Sequence, residues 1–230
     1  MRTGSRPSAD LARLLAGPVL DAAEGLLGAR LVRDDGVEAR IARIVEVEAY
    51  GGPDDLASHA RFGPTARNGS MFGPPGKAYV YGVYGMHTCL NVVCGPADHA
   101  SAVLVRAVEP LVGVVTMREA RQARGLATRR SERAAPVRSA ARIAQMPVAR
   151  LASGPGNVGA AFSIEQEDDG RDLLDPVSSL RLEARPPAEP RPEAASGPRI
   201  GVGFAGLEWA STLWRFWLPG SPALSGRRGR

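Results

Sequence analysis

Two glutamates, Glu46 and Glu48, stand two residues apart in "RIVEVEAYGGPDD". Strand alternation places both carboxylates on one face together with Tyr50, where the strand runs out into a loop rich in Gly, Pro and Asp. Two carboxylates that close resist joint ionisation. A carboxylate at a strand end beside a loop suits general-base chemistry. A solvated strand face would show the same charge pattern. His59 follows in the loop segment "DDLASHAR". The 3 histidines, His59, His87 and His99, show no metal-ligand spacing, so no metal site is expected. Arg106 lies in the apolar run "AVLVRAV" and must face a carboxylate, a phosphate or solvent. Asn91, in "CLNVV", needs hydrogen-bond partners and can sort purines by what their edges donate and accept.

Tyrosine is scarce, 4 in 230 residues, yet Tyr79, Tyr81 and Tyr84 crowd into "KAYVYGVYGMHTCLNVV". Tyr79 and Tyr81 share a strand face. Tyr84 belongs to a turn expected to protrude, where an aromatic serves as a protein-contact anchor or as a wedge in a base stack. With Tyr50 and His59 these rings make a set of flat side chains able to sandwich a base.

The elements that must position these residues read as short strands with helices and no βαβ rhythm, which predicts one α+β domain with a mainly antiparallel sheet. Helices are expected over Asp10 to Leu15, with Ser8 as N-cap, and over Pro18 to Leu27, ended by Gly28. The segment "ARLVRDDGVEARIARIVEVEAY" reads as two strands joined at "DDG". In the second, Ile41, Arg43, Val45, Val47 and Ala49 share one face, and Ala42, Ile44, Glu46, Glu48 and Tyr50 the other. A loop over Gly51 to Gly76, the tyrosine hairpin, a strand carrying Arg106 and a helix in "LVGVVTMREARQARG" follow. The Arg- and Ala-rich stretch 127–150 reads as a mobile, part-helical insertion, and "SGPGNVGAAFSI" as a turn and a short helix. Residues 185–198 read as a Pro-rich surface loop, "RIGVGFAG" and "LWRFWLPG" as closing strands. The domain is expected to span 1–222, with 223–230 a basic flexible tail.

The apolar share of 44% supports a core, and no apolar run approaches the roughly 20 residues of a membrane span. No signal peptide is evident, since Asp10 and Arg13 interrupt the first apolar stretch, so a soluble, cytoplasmic protein is expected. Cys89 and Cys94 fit neither a zinc pattern nor a disulfide framework and read as buried thiols. A net charge of +5 favours an anionic partner, nucleic acid first. Arginine supplies nearly all of it; Lys77 is the sole lysine.

Taken in order, "RIVEVEAYGGPDDLASHAR", "TARNGSMFGPPGKAYVYGVYGMHTCLNVV", "AVLVRAVEPL", "SGPGNVGAAFSI", "RIGVGFAG" and "LWRFWLPGSP" resemble the alkyladenine (3-methyladenine) DNA glycosylase family. The resemblance covers most of the chain from Arg43 to Pro222. It implies an enzyme that flips damaged purines out of duplex DNA and cleaves the N-glycosidic bond. It implies that Glu48 activates the attacking water and that Arg106 helps hold the water and phosphate. Tyr50 and Tyr81 would stack on opposite faces of the base, His59 would lie against it, and Asn91 would clash with the 2-amino group of guanine. Tyr84 would fill the gap left in the duplex. Val158, and His87 with Thr88 after the wedge, depart from the family pattern.

No cofactor is expected, and the partner is a damaged duplex met by a monomer. The sole lysine lies outside the expected pocket, so water rather than an amine is the nucleophile. Two other readings use the same residues. A non-catalytic nucleic-acid-binding module would not need a carboxylate near a phosphate. A carbohydrate hydrolase would use Glu46 and Glu48 as its acid/base pair, although same-face neighbours on one strand lie too close to flank a sugar.

Overall fold

The computed structural model describes residues 6–36, 38–83, 87–127, 136–191 and 193–226. Helices α1 (Arg6–Leu15) and α2 (Val19–Leu26) lead into strands β1 (Arg30–Arg33), β2 (Arg40–Tyr50), β3 (Ala78–Val83), β4 (His87–Cys94) and β5 (Ser101–Val112). Helices α3 (Val114–Ala127), α4 (Pro136–Ala144) and α5 (Pro155–Ala161) follow, then β6 (Leu180–Glu183), β7 (Ala195–Gly197), α6 (Gly206–Ser211) and β8 (Arg215–Trp217). The strand order is β3-β4-β5-β2-β1-β6, with β8 joining β2 and β7 joining β8. The described pairings are all antiparallel, so the α+β expectation holds.

β2 is the hub. It pairs with β5 along its length on one edge, and with β1 and then β8 on the other. Between Ile44↔Val108 and Glu46↔Ala107 the residue Val45 is extra on β2; between Ala107 and Val105 the extra residue is Arg106 on β5. These paired bulges correct the expected alternation. Ala42 and Ile44 lie in the main core together with Val45, Val47 and Ala49, while Glu46 and Glu48 keep to the other side. A bulge adds one residue to a period of two, so the hydrophobic face switches phase there. On β5 the neighbours Ala107 and Val108 both enter the core for the same reason.

That core joins one sheet face to Leu11 and Leu15 of α1, Leu26 of α2, Met117 of α3, and Val158 and Ala161 of α5. Each fully buried Leu or Met contributes about 1.5–3 kcal/mol by leaving water. Gly28 ends the α2 region as expected, with φ 86° and its N–H on the Ile44 carbonyl at 2.9 Å, tying helix to hub strand.

Several expectations need correction. Ser8 lies inside α1 rather than capping it. The stretch 127–150 is part helical, as expected, and its α4 docks on α3, with Gln122 Nε2 donating to the Ala140 carbonyl at 3.2 Å and Arg118 to that of Ile143. The 185–198 segment contains a strand, β7. "RIGVGFAG" is not a strand, because Gly201 and Gly206 take φ of 81° and 85°, and it turns into a 3-10 helix at Gly203–Ala205. The expected free tail begins later, since Ala223 and Ser225 are buried. The hairpin tip, including Tyr84, lies outside the described residues.

Candidate active site

The sheet face away from the main core forms the floor of a cavity of about 550 Å³. Tyr50 enters from β2, Tyr79 and Tyr81 from β3, Asn91 from β4 and Arg106 from β5. His59, on the 3-10 turn His59–Phe62, and the loop residues Ile200 to Val202 with Phe204 form the walls. The volume falls in the range of small-molecule sites, about 300–1,000 Å³. Six of the seven residues singled out in the sequence are thus brought to one place or immediately behind it; the seventh, Tyr84, is not described.

Glu48 is the residue behind the wall. It is fully buried, and its three hydrogen-bond partners, Tyr50, Arg106 and Ile200, all line the cavity. Its Oε2 accepts from the Tyr50 hydroxyl at 3.0 Å and from Arg106 Nη1 at 3.1 Å, and its Oε1 accepts from the Ile200 backbone N–H at 2.7 Å. A carboxylate has about four acceptor positions. Among the described residues Glu48 uses three, which leaves one on Oε1 beside Ile200.

Glu46, also fully buried, differs. Its Oε1 accepts from Arg106 Nε at 3.1 Å, Arg215 Nε at 2.8 Å and Ser225 Oγ at 2.8 Å. Its Oε2 accepts from the Ser225 N–H at 2.5 Å, so Glu46 takes four hydrogen bonds, and of its three partners only Arg106 lines the cavity. Arg106 therefore stands between the two carboxylates. Burial alone would lower its pKa, but the charges of Glu48 and Glu46 outweigh that and raise it. Two guanidiniums, Arg106 and Arg215, face the two carboxylates.

The aromatic residues form a connected group. Tyr79 and Asn91 are direct partners in the β3–β4 ladder, and Asn91 Nδ2 donates to the Tyr79 carbonyl at 3.0 Å. His59 Nδ1 meets the Tyr79 hydroxyl at 2.7 Å, and its ring packs edge-on to Tyr81 with centroids 4.6 Å apart. Burial against these rings, with the nearby charges of Arg67 and Arg61, lowers the His59 pKa and keeps it neutral. Burial raises the Tyr79 phenol to about 12. Burial, then the Cys89 thiol, raises that of Tyr81, and burial, then the Glu48 charge, raises that of Tyr50. Both cysteines are buried free thiols; burial pushes Cys89, in the cavity wall, up to about 11 and Cys94 up to about 12.

Sequence reasoning missed the support behind Tyr50. Arg199, fully buried at its side chain, grips Asp55 through Nη1–Oδ2 at 2.5 Å and Nη2–Oδ1 at 2.9 Å, and donates to the Ala49 carbonyl at 3.0 Å. The same guanidinium lies 4.9 Å from the Tyr50 ring centre and 5.1 Å from that of Trp214. Asp55 in turn accepts from the N–H groups of Gly51 and Ala57. An arginine that opens an apolar run, paired with an aspartate in a Gly-rich loop, was the available signal. The loop that follows Arg199 delivers the Ile200 N–H to Glu48. Ser225 and Arg215, which hold Glu46, were also not anticipated. Lys77 pairs with Asp172 at 3.2 Å and does not line the cavity.

The sequence model of the family described as methylpurine-DNA glycosylase matches residues 13–222. A protein of Anaeromyxobacter dehalogenans (strain 2CP-1 / ATCC BAA-258) is 46% identical over 204 residues, 88% of this chain and 79% of its own. One from Leifsonia xyli subsp. xyli is 44% identical over 208 residues, 90% of this chain and 86% of its own. One from Nitrosospira multiformis is 42% identical over 221 residues, 96% of this chain and 94% of its own. All three carry the name "Putative 3-methyladenine DNA glycosylase". With the cavity, the paired carboxylates and the ring cluster falling inside the matched span, the chain belongs to the methylpurine-DNA glycosylase family.

Proposed function

We propose that this protein is a monofunctional DNA repair glycosylase that extrudes alkylated or deaminated purines from duplex DNA and hydrolyses their N-glycosidic bond with water. The observation that carries the reading is the contrast between two neighbouring carboxylates. Glu46 takes two of its three partners, Arg215 and Ser225, from outside the cavity, whereas among the described residues every donor to Glu48 belongs to the cavity wall and one acceptor position is left on Oε1. That position suits a water, which Glu48 deprotonates as it attacks C1′ while the carboxylate and Arg106 balance the charge of an oxocarbenium-like sugar. The bond between C1′ and the purine nitrogen breaks, and the departing base takes the bonding electrons. An alkylated, cationic purine leaves readily; a neutral one needs a proton or hydrogen bonds on the leaving group.

In this reading Tyr50 and Tyr81 stack on the base, at roughly 1–3 kcal/mol per stacked face, and His59 lies against its edge in neutral form. Asn91, held by the Tyr79 carbonyl, excludes guanine. Tyr84 fills the vacated stack. The cost of flipping is a few kcal/mol and least at a damaged pair. The sole lysine is held by Asp172 away from the cavity, which favours water over a Schiff base. Glu46 is fully buried against Arg215 and Ser225, away from the cavity lining, which disfavours a carbohydrate hydrolase that would need it as acid or base.

Single-turnover base release from duplexes carrying one hypoxanthine, one ethenoadenine or one alkylated purine tests the proposal. Wild-type release that is lost in Glu48→Gln with DNA binding intact is the expected result. Binding without release from any of the three would overturn the catalytic reading. A borohydride-trapped enzyme–DNA adduct would overturn the hydrolytic one.

A further inference from the structure

The chain has 5 phenylalanines, and two of them are exposed at one place. Phe62 is 83% exposed and Phe204 65% exposed. Leaving such large rings in water is unusual unless something covers them. Both lie against one guanidinium: Arg61 Cζ is 4.6 Å from the centre of the Phe62 ring and 5.1 Å from that of Phe204. Phe204 lines the cavity, and Phe62 ends the 3-10 turn that begins with His59, also a cavity residue. Side chains three apart in a 3-10 helix eclipse one another, so Phe62 projects from the same side of the turn as His59. The turn is fixed by Ser58, whose Oγ accepts from the Ala60 N–H at 3.1 Å and whose carbonyl accepts from Arg61 Nη1 at 3.1 Å.

Arg30, Arg33, Arg40, Arg43, Arg106 and Arg199 all pair with carboxylates, but among the described residues Arg61 and the cavity residue Arg67, whose charges both act on His59, do not. Two unpaired cations and two bare rings at one rim match a ligand that alternates flat apolar faces with phosphates. A nucleotide extruded into the cavity drags its own strand past this rim.

We propose that Arg61, Phe62 and Phe204 form a clamp for the nucleotide adjacent to the extruded one on the same strand, the rings packing on its base and sugar and the guanidinium meeting its phosphate. The clamp rests on the reading of the cavity as a purine pocket. In the free protein the three side chains cover one another; on the strand they separate, and their contacts are exchanged for base and phosphate.

The test measures equilibrium affinity for a duplex carrying one hypoxanthine, across a salt series, for wild type, Phe62→Ala, Phe204→Ala, Arg61→Gln and, as a control, Leu207→Ala. Leu207 is 91% exposed, and no ring–arginine contact involves it. Each Phe→Ala change should weaken binding about 5- to 150-fold, the range expected for one base–ring stack, without changing the salt slope. Phe62→Tyr should restore it. Arg61→Gln should reduce the slope of log affinity against log salt by about 1. A 2-aminopurine beside the lesion should brighten when either ring is removed. Phe62 is so exposed that its truncation leaves folding intact, and thermal unfolding checks this. Wild-type affinity, slope and 2-aminopurine signal in all variants, with hypoxanthine still released, would overturn the clamp alone. No release by the wild type would overturn the purine reading beneath it. Unchanged DNA affinity together with wild-type self-association that Phe62→Ala abolishes would make the patch a protein contact and overturn the proposal.

Discussion

Glu46 and Glu48 differ by two positions and share Arg106, yet they should fail in opposite ways. Glu46→Gln keeps size and shape but removes one negative charge from a buried group of two carboxylates and two guanidiniums. It also turns an acceptor of four hydrogen bonds into a side chain whose amide group faces the N–H donors of Arg106, Arg215 and Ser225. Breaking a buried pair in this way costs about 3–5 kcal/mol. For a chain of this size each kcal/mol lowers the melting temperature by about 2–4 °C, so the expected drop is roughly 6–20 °C. Glu48→Gln removes the same charge but only three bonds, and it should abolish base release at temperatures where the protein is folded. The assay is thermal unfolding of both variants beside single-turnover excision at 10 °C or more below the lower melting temperature. A Glu46→Gln protein that melts within about 2 °C of wild type would refute its role as the anchor of the buried group. A folded Glu46→Gln protein as inactive as Glu48→Gln would refute the division of labour between them.

The phenols offer a second check. Burial raises Tyr50, Tyr79 and Tyr81 above their usual 10, so the folded protein at pH 11 should show no more phenolate absorbance than one tyrosine gives. Because the folded pKa values are raised, the stability they contribute is full below pH 10 and is lost as pH climbs through them. Midpoints near 10 for three or more tyrosines in folded protein would contradict the packing described. His59 has the opposite trend: its pKa is lowered, so an NMR titration should find a midpoint below 6.5, with stability falling as the pH drops below that value. A midpoint at or above 6.5 would mean the ring is not held among Tyr79, Tyr81 and the two arginines. Arg199→Lys keeps the charge but loses the fork on Asp55 and the stacking on Tyr50. In a double-mutant cycle with Asp55→Asn, a coupling of at least about 1 kcal/mol is expected; additivity would mean that the pair does not act as a unit.

Local signals carried much of this architecture. Strand alternation put Glu46, Glu48 and Tyr50 on one side, and the spacing of Tyr79 and Tyr81 put two rings on one floor, because both follow from a period of two. What alternation alone did not show was the phase change at Val45 and Arg106, since two adjacent apolar residues on one strand identify a bulge only once the partner's register is known. The buried state of Glu48 was equally hidden. Its burial depends on an N–H from Ile200, 152 residues away, and no local pattern encodes so distant a partner. "RIGVGFAG" looked like a strand because its apolar residues alternate; Gly201 and Gly206 instead take left-handed backbone on either side of a 3-10 turn, and the stretch lines the cavity. The rim phenylalanines resemble core residues in sequence, and only their exposure sets them apart.

The bonds that hold Glu46 also impose an order on synthesis. Its partners lie 60, 169 and 179 residues further along the chain, at Arg106, Arg215 and Ser225. At about 5–20 residues per second a ribosome needs roughly 10–40 s between making the carboxylate and making its last donor. Until Arg106 is made, the nascent strand carries two adjacent negative charges that only water can satisfy. The helices and the central strands of the sheet are complete long before the charge group can close. A chain that stops short of Ser225 would have both guanidiniums in place but lack two of the four hydrogen bonds on Glu46, so the buried group closes last.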